Sequence, residues 1–371
     1  MIERQRIATY GITTTAVATV ALALWLQPWS THTLVRTPVA APHHVDLVFA
    51  VDTTGSMGGL LDGAKRTVWS IASHIRQLDP NADLRVGLVA YRDIGDEYVT
   101  KDLQMTSDLD AVFTELSGYI AAGGGDEPED VDAALYDAVT KMQWRGDAKK
   151  MIFLVGDAPP ASRNDVPRFE VSARGAAAKG ITINTIRCGI AEDTAVAWKQ
   201  IAAIGGGEFS SIAEDGGVHQ IATPYDRKLD ELSHEIDTTT VIYGAAPVHA
   251  HYEAKMAAAA AAPAAAKADR AAYYAADPSG ARGADDITEG VATGGVTVGS
   301  LDDGKLPADL QGLSKDELKQ KIDERAAQRA KAQKEMAEVA KQRADYLRDH
   351  AGASNGFDDA VKGTVDRELT K

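Results

Sequence analysis

The chain has 371 residues, with 54 acidic against 39 basic side chains, a net charge of −15 and an isoelectric point near 5.0. That balance argues against a nucleic-acid partner, because holding a phosphate backbone rests on cationic neutralisation. A single cysteine, Cys188, excludes an internal disulfide, so an exported domain must be held by its apolar core, and about 190 residues of alternating elements suffice to build one.

The first 30 residues stand apart from the rest. Arg4 and Arg6 precede residues 7–26, about 20 positions without a charge, long enough at ~1.5 Å per residue to cross a hydrocarbon core of ~30 Å. Tyr10 at one end and Trp25 and Trp29 at the other stand where interfacial aromatics belong, and the two arginines predict a cytoplasmic amino terminus. The nearest small-x-small cleavage candidates, around residues 39–41, lie far beyond the apolar segment and run into Pro42. An uncleaved anchor is therefore expected within residues 1–30 in preference to a cleaved signal. Residues 31–43 read as a linker, and the bulk of the chain should face the periplasm or the cell exterior.

Residues 46–58 combine an apolar strand with a turn that carries Asp52, Thr54 and Ser56 at alternate positions. Alternation along extended backbone puts the three side chains on one side, and carboxylate plus hydroxyl oxygens are what a small hard cation such as Mg2+ accepts. The plainer reading is a Ser/Thr-rich turn with a helix cap. His43, His44 and His74 show no ligand spacing and read as surface groups. Residues 60–78 are amphipathic, 84–91 and 98–103 read as strands, and 109–120 as a helix. The segment 121–130, Ala-Ala-Gly-Gly-Gly-Asp-Glu-Pro-Glu-Asp, frees the backbone before a helix over 131–142. Asp126 is the candidate ligand there; its competing role is the N-cap of that helix, with Glu127, Pro128 and Glu129 as ordinary first-turn residues.

Residues 149–156 are apolar after the two lysines, the mark of a strand buried on both faces, and Asp157 follows at its carboxyl end, where open parallel sheets place ligands. Further on, 169–179 reads as a helix, 181–187 as a strand ending near a buried, inert Cys188, 195–204 as a helix, 208–211 as a short strand and 218–236 as a closing helix. Strands alternating with helices of this length predict an α/β domain with a doubly wound, mostly parallel sheet over residues 44–237.

Beyond it the composition changes. Residues 254–276 are rich in alanine and interrupted by Pro263, and 277–304 are rich in Gly, Asp and Thr, with a short strand expected at 296–298. Residues 238–313 therefore read as a linker, and everything after 240 as dispensable for folding of the sheet domain. Ser314 with Glu317 forms a capping box that opens a helix to about His350. Leu318, Ile322, Arg325, Arg329, Ala332, Met336, Val339, Arg343 and Tyr346 follow the spacing of a seam. Three arginines within it argue for a charged helix that packs on the sheet domain or on a neighbour, not for a coiled coil. Residues 351–371 complete the chain.

The motif Asp52-x-Thr54-x-Ser56, the glycine loop with Asp126, and Asp157 after the fourth strand resemble the von Willebrand factor type A family and its metal-ion-dependent adhesion site. The resemblance covers residues 44–230. It implies a Rossmann-like fold and one Mg2+, with Mn2+ or Ca2+ as alternatives. It also implies that the two hydroxyls and the second-loop residue bind the ion directly, that the aspartates often act through water, and that a carboxylate from a partner protein completes the shell. An acidic second-loop residue, Asp126 or the adjacent Glu127, would place three carboxylates around the ion and weaken its pull on an acidic partner relative to members with Thr there. The Gly-Gly-Gly-Asp-x-Pro-Glu-Asp wording of residues 123–130 also looks like type A domains of some bacterial proteins and of the alpha-kinase group, and the tail is similar to those of bacterial exported type A proteins. The implied function is a non-enzymatic, membrane-anchored binding module for an acidic protein ligand. Two alternatives remain open: a haloacid-dehalogenase-like phosphotransferase using Asp52, which Thr53 and Thr54 disfavour, and a scaffold whose metal is purely structural.

Overall fold

From Val45 to Val51 only Asp46 interrupts an apolar run, and this segment forms the central strand β1 (His43–Asp52) of the computed structural model, which describes residues 43–125, 128–161, 166–218, 220–276, 282–350 and 356–370. β1 pairs in parallel with β2 (Ala82–Tyr91) on one side and with β4 (Lys149–Gly156) on the other. The sheet continues through the parallel strands β5 (Ile181–Cys188) and β6 (Gly206–Ile212), and β3 (Thr100–Thr106) closes the far edge antiparallel to β2. The order is β3-β2-β1-β4-β5-β6. The chain first moves outward from β1 through β2 and then returns to the other side of β1 at β4, so the direction of winding reverses between β1 and β4. That reversal opens a crevice at the carboxyl ends of these two strands.

The strands are apolar on both faces because helices cover both. Val45, Leu47, Phe49 and Val51 point into one core with α1 (Gly58–Leu78), α2 (Leu109–Ser117) and α6 (Asp226–Thr238). Val48 and Ala50 point into the other with α3 (Val131–Thr140), α4 (Phe169–Ala178) and α5 (Glu192–Gly205). Cys188 is buried, and burial pushes its thiol well above the ordinary range, which leaves it unreactive. The last helix of the sheet domain starts later than its pattern predicts. Val218 and residues 220–225 lie outside it, and Val218 packs so closely on α1 that a Cβ on Gly63 would lie 3.0 Å from it.

The linker reading of residues 238–313 is corrected by the packing. α7 (Ala246–Ala261) and α8 (Ala264–Ala275) are helices separated at Pro263, and Ala266, Ala268, Ala271, Tyr273 and Tyr274 are buried in the same core as Leu47 and Phe49. Alanine supplies little apolar area per residue, but it has the highest helix propensity and lets a neighbouring helix approach closely, so a run of it builds an interface where a linker was read. The Gly- and Asp-rich stretch that follows has its own small core. Val241, Val291, Val298, Leu301, Leu306 and Leu310 close over Leu318 and Ile322, with α9 (Thr288–Ala292) between them. The short strand expected at 296–298 is absent among the described residues; a 3-10 turn spans Val298–Ser300 instead.

Two more helices complete this extension. α10 (Lys315–His350) starts at the capping box, where the Ser314 amide donates to Glu317 Oε2 at 2.9 Å and the Glu317 amide donates to Ser314 Oγ at 3.3 Å. α11 (Phe357–Leu369) lies against α1 and sends Phe357 onto Phe49 of the central strand, ring centroids 6.1 Å apart. The extension is therefore part of the core, contrary to the expectation that the sheet domain would fold without it. Residues 7–26, the expected anchor, lie outside the described residues, among which no helix is long and apolar enough to cross a membrane.

Candidate metal centre

Asp52 is the last residue of β1 and Asp157 the first after β4. The register pairs Val51 with Val155, so both carboxylates leave the same edge of the sheet from adjacent strands. Their close approach depends on Gly156, where a Cβ would stand 2.4 Å from Tyr91 Oη and 3.1 Å from Asp52 Oδ2.

The Asp52 side chain is fully buried, with 0% exposure. Its Oδ1 accepts the Thr54 amide at 2.9 Å and the Thr54 hydroxyl at 2.7 Å. Because Thr54 Oγ1 donates its proton to Asp52, its lone pairs remain for another partner. Ser56 Oγ lies 3.5 Å from Thr54 Oγ1 at the exposed end of the turn. The turn-and-cap reading is met only halfway. Asp52 does organise the turn, but Thr54 makes no side-chain cap to the 3-10 helix Gly55–Met57 that follows. Among the described residues Asp52 Oδ2 has no hydrogen-bond partner.

Asp126 and Glu127 lie outside the described residues. The cap assigned to Asp126 belongs to Asp130, whose Oδ1 accepts the Ala133 amide at 2.9 Å. α3 starts at Val131, as its pattern predicts, so Glu129 stands before the helix and is not a first-turn residue facing solvent. It is 3% exposed, its amide donates to the Pro159 carbonyl at 3.2 Å, and its own carbonyl accepts the Ala161 amide at 2.7 Å. These two bonds join the second loop to the chain just after Asp157. Glu129 Oε2 is also buried without a partner among the described residues. A Cβ on Gly124 would meet Glu129 Oε1 and Thr54 Cβ, each at 2.8 Å, so glycine at this left-handed position (φ +71°) is what lets the second loop close on the first. Glu129 is the residue that reading the sequence missed. The signal was an Asp directly before the apolar pattern at Val131, which marks the helix start and leaves Glu129 outside it.

Burial, with Asp157 nearby and against the two bonds from Thr54, pushes the Asp52 carboxyl up to about 7. Burial and the carboxylates of Asp52, Asp93, Asp96 and Asp157 push Glu129 up to about 8. Arg92, the nearby cation, faces elsewhere: it donates to the Thr53 carbonyl at 3.2 Å and the Ile120 carbonyl at 2.6 Å and lies over the Tyr98 ring, tying the loops together. Further ties run from Gly55 N to Gly123 O at 3.3 Å and from Ala122 N to Thr53 O at 3.1 Å. Two buried, unpartnered carboxylate oxygens beside free hydroxyl lone pairs fit a hard dication. No three His, Cys, Asp or Glu side chains among the described residues come together as a metal-holding group, so an ion held here must draw on the Thr54 and Ser56 hydroxyls as well.

Residues 46–217 match the family model described as the von Willebrand factor A domain. The alpha-protein kinase vwkA of Dictyostelium discoideum is 29% identical over 122 residues, 33% of this chain and 19% of that protein. A putative ariadne-like RING finger protein of Acanthamoeba polyphaga mimivirus is 30% identical over 121 residues, 33% of this chain and 12% of that protein. The chain thus spans less than a fifth of the length of these curated relatives. Among solved structures, the conserved hypothetical protein BatB from Bacteroides thetaiotaomicron is similar at 17% identity and a TM-score of 0.36, covering 46% of this chain and 90% of that one.

Proposed function

Because residues 46–217 form a von Willebrand factor A domain, a general protein-interaction and adhesion module, we propose that this chain binds a protein partner through Mg2+ held at the carboxyl edge of its sheet. Asp52, Thr54, Ser56 and Asp157 would hold the ion, with Glu129 or Asp126 contributing from the second loop. An acidic side chain of the partner would complete the shell. The observation that carries this reading is the pair of buried, unpartnered oxygens, Asp52 Oδ2 and Glu129 Oε2, on neighbouring loops. A bound dication supplies the positive charge that lets both groups ionise in a desolvated place.

Binding is favoured over phosphotransfer because Thr53 and Thr54 stand where haloacid-dehalogenase-like enzymes carry Lys and an acid/base Asp. The anchor within residues 1–30 would keep the chain on the membrane and display the domain outside the cytoplasm. That placement is read from the 7–26 stretch and is checked by resistance of the full-length chain to carbonate extraction.

Calorimetric titration with Mg2+ and Mn2+ tests the site. The native chain should bind one ion, and Asp52→Ala should lose that binding while keeping a stable apo fold, because the substitution removes a like charge from a crowded carboxylate set. Unchanged Mg2+ binding by the Asp52→Ala protein would reduce these residues to a turn. Pull-down of membrane proteins with and without chelator then tests the partner.

A further inference from the structure

On the side of the molecule built by the extension, a cleft of about 450 Å3 lies among Arg76 of α1, the turn between β3 and α2, α7, α8 and the chain following Arg282. Arg282 lines it and is 0% exposed, yet only part of its guanidinium is used. Nε donates to Asp237 Oδ1 at 2.7 Å, and the plane lies 4.0 Å over the Tyr274 ring. Nη1 and Nη2 are buried and have no hydrogen-bond partner among the described residues. The surroundings do not make up the deficit. Asp237 is shared with Arg270, Asp108 is taken by Lys255, and Asp285 stands exposed at the rim.

Buried guanidinium donors without acceptors are costly, so a fully covered arginine with both terminal nitrogens free beside a cleft points to an acceptor that comes from outside. The planar fork of Nη1 and Nη2 matches a carboxylate. The remaining walls are mixed: Ile242, Val248, Tyr252 and Tyr273, with Arg76 stacked 4.1 Å over the Tyr273 ring, form an apolar and aromatic part, and Thr106, Ser107 and the Lys255–Asp108 pair form a polar one. The volume falls in the range of small-molecule sites. We infer that this cleft binds a small organic monocarboxylate with an apolar or aromatic body, its carboxylate on Arg282 and its body against Tyr252 and Tyr273. The site is separate from the metal centre.

Benzoate and its neutral amide, benzamide, test the assignment by calorimetry on the full chain. Saturable binding of one benzoate is expected, with benzamide at least tenfold weaker. Arg282→Lys keeps a charge near Asp237 but loses the fork, and should weaken benzoate at least tenfold. His251 is an exposed residue at the mouth. His251→Trp should close the cleft without disturbing the core and abolish the signal, so it decides the matter if Arg282→Lys fails to fold. The assignment is overturned if benzoate does not bind, if benzamide binds equally well, or if benzoate affinity survives in folded Arg282→Lys or in His251→Trp.

Discussion

Asp52 and Glu129 are carboxyls whose ionisation the fold opposes, with ordinary values of 3.8 and 4.5 raised to about 7 and about 8. Between those limits the folded state binds more protons than the unfolded one, so apo stability is full below the ordinary range and falls as pH rises through 7 to 8. A cation reverses the preference. Without divalent ions the melting temperature should drop from pH 6 to pH 9, and saturating Mg2+ should flatten that slope. Calorimetry at pH 7 in two buffers of different ionisation heat should register protons released on Mg2+ binding, fewer in Glu129→Gln. A slope that is the same with and without Mg2+ would leave the two carboxyls uncoupled from any ion. Gly124→Ala offers a steric check. Its left-handed φ costs about 1–2 kcal/mol with a Cβ, and the clash with Thr54 and Glu129 should lower Mg2+ affinity as well, seen in the same titration. Asp52 and Asp157 were legible because strand ends and alternation are local signals, and both do leave one sheet edge. Glu129 was not, because its burial depends on its standing before α3 and on backbone bonds to Pro159 and Ala161, about thirty residues away in the loop after β4.

At the level of elements, α10 packs on the sheet domain, as the arginines in its seam predict. A seam that includes arginine was weighed as a poor coiled coil, which is correct for helix against helix, but the acids that receive these side chains lie on other elements. Arg343 is buried and bonds Asp226 at 2.8 Å and Asp269 at 2.6 Å. Arg329, also buried, pairs with Asp286 at 2.8 Å. Among the described residues Arg325 pairs with Asp309, which is largely exposed. Removing one partner of a buried pair strands its acids, so Arg343→Ala should cost about 3–5 kcal/mol, whereas Arg325→Ala, an exposed pair, should cost less than ~1 kcal/mol. Urea denaturation of the two variants separates them. Equal midpoints would show that α10 is held by its apolar residues and not by charge.

For the molecule as a whole, the question is whether the sheet domain and the extension are one folding unit. The mostly parallel sheet was readable because β1, β2 and β4 carry their own apolar runs; the strand order and the antiparallel edge β3 were not, since the edge strands β3 and β6 carry none. Nor was the extension readable, because Ala-rich helices show no strong periodic stripe and their partners, α1 and α6, lie earlier in the chain. Once folded, Tyr273, Tyr274, Val361 and Val365 share a core with Leu47 and Phe153, and Phe357 covers Phe49, itself stacked on Phe153 at 5.4 Å. Cutting the chain after residue 237 would expose that apolar face of α1 and of the sheet and leave Asp110 and Asp237 without Arg270, which bonds them at 2.7 and 2.9 Å. A chain ending there should be insoluble or melt without cooperativity, and residues 43–371 should show a single calorimetric transition. Phe357→Ala, a truncation inside that shared core, should cost about 3–5 kcal/mol and lower the whole transition together, because no boundary separates the helix it sits on from the strand it touches. Two resolved transitions, of which only the first responds to Phe357→Ala, would make the extension a domain of its own and return the sheet domain to the independence its sequence pattern implied.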